Sequence, residues 1–107
     1  MILKSTPKEA AKVKAPVDGR IMYSEKRTEV ILLTLAPGQS LPEHQNPFDV
    51  LFIGITGTAI MTTGETLTEI SPGETIFVSA DEQRAWHNPS QGPCRVMVVK
   101  ILQGPPA

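Results

Sequence analysis

The chain has 107 residues, with ten lysines and arginines against eleven aspartates and glutamates, and a net charge of −1 when both histidines are neutral. That length accommodates a single modest core, and 40% hydrophobic with 20% charged residues is ordinary for a water-soluble domain. The near-balance of charge gives no electrostatic reason to expect nucleic acid or an anionic membrane as partner. The longest apolar runs, VILLTLA and VMVVKIL, are too short to span a bilayer. A lone cysteine, Cys94, permits no internal disulfide, which together with the absence of a signal-peptide pattern in MILKSTPKEA points to the cytoplasm.

In chain order, TPKEAAKV comes first, with Thr6 as a cap, Pro7 at a first helical position and good helix formers behind it, so a short helix is expected there. From Arg20 onward the pattern becomes short β-rich runs: RIMYS, TEVILLTLA, DVLFIGI, TAIMT, TLTEI, TIFVS, RAWHN and CRVMVVKIL. Pro37-Gly38 and Pro72-Gly73 suit the central positions of type II turns, where glycine supplies the positive φ. Strands at this spacing with no helices between them predict an antiparallel sandwich or barrel. VILLTL and VMVVKIL are apolar at successive positions, so both faces of those strands are expected to pack. One face lines the barrel. The other needs a partner subunit, which predicts a homodimer, or else a covering N-terminal segment.

From Gly38 to Asn88 the chain resembles the cupin superfamily of small β-barrels. The family's first motif, G-x5-H-x-H-x3-E-x6-G, falls on Gly38, His44, Asn46, Val50 and Gly57; the second, G-x5-P-x-G-x2-H-x3-N, falls on Gly73, Ser79, Asp81, Arg84 and Asn88. Every spacing is kept, with Gly38, Gly57, Gly73 and the final asparagine. The resemblance implies an all-β, single-domain cupin of the conserved-barrel type. Its expected form is an antiparallel double-stranded β-helix, or jelly roll, over residues 20–103. A helical or irregular segment, residues 1–19, would pack on it, and residues 104–107 would form a tail.

In metal-binding cupins two His and one Glu of the first motif, with one His of the second, hold a divalent ion. Here those places read His44, Asn46, Val50 and Arg84. Valine offers no donor, and a permanently cationic guanidinium repels a metal. The expectation is therefore no metal cofactor. The fallback is a site rebuilt for Mn, Fe, Ni or Zn from His44, Asp49 and His87. Strand alternation opposes that fallback, because Asp49 and His87 face outward if Val50 and Arg84 face inward, unless a bulge intervenes. The same parity turns Glu43 away.

If the register holds, His44, Asn46, Val50, Phe52, Arg84 and Trp86 share one apolar cup with a few converging polar groups, the make-up of a small-molecule site. A buried Arg84 calls for an anionic partner, and its planar fork of donors suits a carboxylate or phosphate. The bland alternatives are that Arg84 snorkels to water or pairs with Glu43, Asp81 or Glu82, that Trp86 is barrel filling, and that Asn88 fixes a turn. The favoured reading is a cupin that binds a small organic anion. Beside it stand a cupin enzyme and a structural dimer with a vestigial pocket. The enzyme is either metal-dependent (dioxygenase or isomerase type), or metal-free with His44 as general base and Tyr23 or Glu43 as acid.

Overall fold

Alternation of side chains along the strands decides the architecture. In the computed structural model, which describes residues 1–14 and 16–103, Ile31, Leu33 and Leu35 of one strand are buried together with Val50 and Phe52 of a second and Val96 and Val98 of a third. Among the described residues ten strands form two antiparallel sheets: β1 (Ala11–Lys12), β2 (Asp18–Ser24), β3 (Thr28–Leu35), β4 (Ser40–His44), β5 (Asp49–Thr56), β6 (Ala59–Thr63), β7 (Thr66–Ile70), β8 (Thr75–Val78), β9 (Arg84–His87) and β10 (Cys94–Ile101). One sheet runs β1-β2-β3-β10-β5-β8 and the other β4-β9-β6-β7. Their inner faces enclose a single core that includes Ala59, Met61, Ile70, Val78 and Trp86. The fold is the all-β double-stranded β-helix expected.

The turns follow their chemistry. Gly38 and Gly73 have φ of 75° and 86°, and the Gln39 and Glu74 amides close the two turns onto Ala36 and Ser71. Only glycine enters that region without strain. Asn88 is fully buried: its amide group donates to the carbonyls of Leu35 and Gly92, and its oxygen accepts from the Ser90 amide and hydroxyl. It fixes the bend between β9 and β10. Cys94 is buried at the start of β10, with its thiol on the Thr58 carbonyl.

The expected N-terminal helix does not form. Residues 6–10 make one turn, with the Glu9 and Ala10 amides on the Thr6 carbonyl, and the chain then pairs as β1 against β2. A helix this short is marginal on its own, whereas the β2 edge supplies backbone partners and a place for Val13 against the core. The segment also covers part of the outer face, for Pro7 and Lys8 share a cleft with Arg20, Leu32, Thr34 and Arg95. The middle of that face is apolar. Tyr23, Val30, Val99, Leu51 and Phe77 lie side by side across β2, β3, β10, β5 and β8, with Met97 and Ile53 in the next row. Phe77 is 57% exposed. The expected tail, residues 104–107, lies outside the described residues. No helix among the described residues is long and apolar enough to cross a membrane.

Candidate functional site

The site is built on β4 and β9. Strand β4 holds Pro42, which an edge strand paired on one side tolerates because no ladder partner is lost. Its register against β9 runs Ser40 to His87 and Leu41 to Trp86, then jumps to His44 against Arg84. Two residues on β4, Pro42 and Glu43, therefore oppose one on β9, Ala85. This bulge at Pro42-Glu43 resets the alternation, so that Leu41 and His44 both face the interior while Glu43 stays exposed. Without it, parity from Leu41 would carry His44 outward.

His44, Asn46, Phe52 and Arg84 line a cavity of about 160 Å³, open to solvent on one side, together with Val13, Ile31, Leu33, Leu41, Val98 and Lys100. Two other expected pocket residues, Val50 and Trp86, are buried in the core and do not line it; the Trp86 ring packs on Phe52 at 5.0 Å between centroids. Arg84 is 2% exposed. Its guanidinium donates to the Asn46 side-chain oxygen and, at 3.4 Å, to the Glu82 carbonyl, and it lies 5.6 Å from the centre of the Phe52 ring. The Nε–H is buried without a partner. None of the three ion pairs among the described residues involves Arg84. The anticipated pairing with Glu43, Asp81 or the Glu82 carboxylate is thus absent among these ion pairs, and burial alone pushes the Arg84 pKa down from its usual value.

Asn46 is held in turn by the neighbouring loop: its carbonyl accepts from the Asp81 amide at 2.7 Å, where Asp81 adopts φ 67°. The Ala80 amide donates to Asp49 Oδ1 at 2.9 Å, which ties the same two loops together.

His44 Nδ1 donates to the Pro42 carbonyl at 3.0 Å, which leaves Nε2 as an acceptor. Burial lowers the His44 pKa, opposed by the Pro42 bond and aided by the nearby charges of Arg84 and Lys100. The ring is therefore neutral at pH 7. Lys100 reaches the cavity from β10 but is already paired, with Nζ 3.0 Å from Glu29 Oε1 and 5.9 Å from the Phe48 ring centre. Sequence reasoning missed Lys100, Leu41 and Val13 as lining residues.

The residues that might have rebuilt a metal centre point elsewhere. Asp49 caps the Ala80 amide, and exposed His87 bonds Ser40 Oγ at 2.7 Å. Tyr23 lies on the outer face, where its hydroxyl donates to Glu25 at 3.3 Å. Among the described residues no group of three or more His, Cys, Asp or Glu side chains is placed to hold a metal ion. At the four family ligand positions one imidazole remains beside an amide, a valine and a guanidinium, a donor set that does not fit a divalent ion.

Residues 31–100 match the Cupin_2 family, described as a cupin domain. The chain belongs to the cupin family. Among solved structures, this cupin superposes on the polyketide cyclase RemF of Streptomyces resistomycificus with a TM-score of 0.84 at 19% identity, covering 99% of this chain and 83% of that one. It is similar also to a predicted oxalate decarboxylase of Thermotoga maritima (TM-score 0.81, 16% identity, 94% and 100% covered). A third likeness is to a cupin superfamily protein of Desulfitobacterium hafniense (0.76, 19%, 96% and 100%). Identities this low carry the fold alone. No curated protein matches the cupin in sequence.

Proposed function

We propose that this cupin is a binding protein whose cup takes a small organic anion, a carboxylate or a phosphate, on Arg84, without chemistry of its own. One observation carries the reading: the guanidinium of Arg84, a residue 2% exposed, lines the cavity and has, among the described residues, only neutral oxygens for partners. A buried charge is ordinarily paired with an opposite charge, and the cost of leaving it unpaired is several kcal/mol. Of its five N–H donors two are engaged, so three, one each on Nε, Nη1 and Nη2, remain for a bound anion.

Thermal unfolding against carboxylates and phosphates tests this. An anion at about a hundred times its dissociation constant raises stability by roughly 2.7 kcal/mol, and Arg84→Met abolishes the shift. No shift with any anion, or a shift that survives the substitution, overturns the proposal and leaves a vestigial pocket.

A second reading, proton transfer by His44, draws support from its neutral ring with Nε2 free and from the likeness to a protein titled polyketide cyclase. Against it, Tyr23 lies on the outer face, and Glu43 is exposed and meets His44 only in a shallower neighbouring cleft that does not include Arg84. The binding reading therefore takes precedence.

The outer face supports the proposal that the cupin acts as a homodimer. The apolar row of Tyr23, Val30, Val99, Leu51 and Phe77 spans five strands, and a two-fold axis would set it against itself. Five strands about 4.8 Å apart and about six residues long present roughly 500 Å² per subunit. Two such faces bring the total to the ~1,000 Å² that a specific interface needs. Sedimentation equilibrium tests it: a dimer that Val99→Lys converts to monomer is expected, and a wild-type monomer at all concentrations overturns it.

A further inference from the structure

We infer that the anion taken by the cup is a monocarboxylate with a compact apolar body of about six carbons, in preference to a phosphate or a dicarboxylate. The inference rests on the anion-binding reading and deepens it. Three observations carry it. The first is charge. Two cations line the cavity, but Lys100 is neutralised by Glu29 at 3.0 Å, and Glu29 accepts from Ser24 as well. Arg84 alone remains without a counter-charge, so the cup offers one positive charge to one negative one. A phosphate group brings about −1.5 to −2 at neutral pH, and a dicarboxylate brings a second charge that has nowhere to go but apolar wall.

The second observation is how the lining divides. His44 and Arg84 face each other across β4 and β9, with Asn46 bonded to Arg84, so these polar groups gather on the four-stranded side. Ile31, Leu33 and Val98 come from β3 and β10 of the opposite sheet. A ligand that satisfies both sides is amphipathic along one axis, with its carboxylate on Arg84 and its hydrocarbon on the aliphatic wall. The planar two-donor fork of arginine matches the two oxygens of a carboxylate.

The third is size. A closed apolar cavity of about 150 Å³ takes a benzene ring, and this cup, which is open on one side, measures about 160 Å³. The hydrocarbon part is therefore on the scale of a six-carbon chain or ring.

Calorimetric titration of the full chain at neutral pH tests the inference with acetate, butyrate, hexanoate, octanoate, benzoate, succinate and inorganic phosphate as probes. Affinity is expected to rise up to about fourfold per methylene between acetate and hexanoate, from the free energy of burying each methylene. It then levels off at octanoate. Benzoate should bind with hexanoate, while succinate and phosphate bind at least tenfold more weakly. Val13→Phe narrows the cavity from the half-buried N-terminal segment, and Val98→Phe narrows it from β10. Each is expected to weaken hexanoate at least tenfold more than it weakens acetate; should one fail to fold, the other serves. Phosphate or succinate binding as tightly as hexanoate, in an Arg84-dependent way, overturns this inference and leaves the anion reading standing. Hexanoate affinity untouched by the phenylalanine substitutions also overturns it. If no probe binds, both fall together.

Discussion

Replacing Arg84 by methionine separates a receptor from a structural residue, because the two roles predict opposite changes in the stability of the free protein. Burying the guanidinium costs several kcal/mol, about 5 by the usual scale for one desolvated ion after relaxation. Against that stand one charged hydrogen bond to Asn46, roughly 2 kcal/mol, and a cation–π contact with Phe52 of about 1 kcal/mol. The 3.4 Å bond to the Glu82 carbonyl adds little. The arginine is thus a net burden of about 1–2 kcal/mol to the empty cup, on the same scales. Methionine keeps a flexible stem against Phe52 and removes the charge. Asn46 is only partly buried, so its released oxygen can turn to water. Arg84→Met should raise the melting temperature of ligand-free protein by roughly 5–10 °C. Differential scanning calorimetry in buffer free of small anions reads it directly. A loss of 2 kcal/mol or more would refute the reasoning, since it would mean that the guanidinium holds the Asn46 and Glu82 loops together and that its burial is repaid within the fold.

Protein produced with Mn, Fe, Ni and Zn supplied, and purified without a histidine tag, should retain far less than one ion per chain by elemental analysis; near-stoichiometric retention would contradict the donor-set argument. Gly54→Ala should destabilise by about 3 kcal/mol or more in chemical denaturation. The new methyl would collide with the Ser71 carbonyl oxygen, while the Gly54 backbone is fixed by bonds to Glu74 and Gly73, so neither side can yield. His44 gives a signed pH effect. Its folded pKa lies below the 6.5 of a free imidazole, so the unfolded chain binds the proton more readily. The contribution is fully present above pH 6.5 and is lost as pH falls below it toward the folded pKa. Wild type should therefore lose stability against His44→Gln in that window. In NMR titrations the His44 pKa should rise when a carboxylate occupies the cup; a pKa at or above 6.5 in the free protein would contradict this.

Most strands were legible because inner-face residues recur at every second position, as in Val96 and Val98 or Val50 and Phe52. Two were not. The strand β1 is two residues long and is held by the β2 edge rather than by its own preference, which favoured a helical turn. The strand β4 contains Pro42, a residue that argues against a strand unless its place at a sheet edge is known. The site was half legible. Arg84 could be placed by the spacing of the second motif, and the outward parity of Asp49 and His87 follows from the neighbours Val50 and Arg84. His44 was aligned to the interior, but the reason it faces there, an extra residue at Pro42-Glu43, is a property of pairing that no single strand reveals. Lys100 carried a signal that went unused: it continues the inward series Val96, Val98 at the same two-residue step.

The most direct test of the central claim, that Arg84 is an anion receptor inside the cup, is a crystal structure with 4-bromobenzoate, the bromine located by its anomalous scattering. Both carboxylate oxygens should lie within about 3 Å of the Arg84 guanidinium, with the bromine on the aliphatic side formed by Ile31, Leu33 and Val98. An Arg84 side chain turned out of the cavity, or a benzoate bound only elsewhere on the molecule, would contradict it.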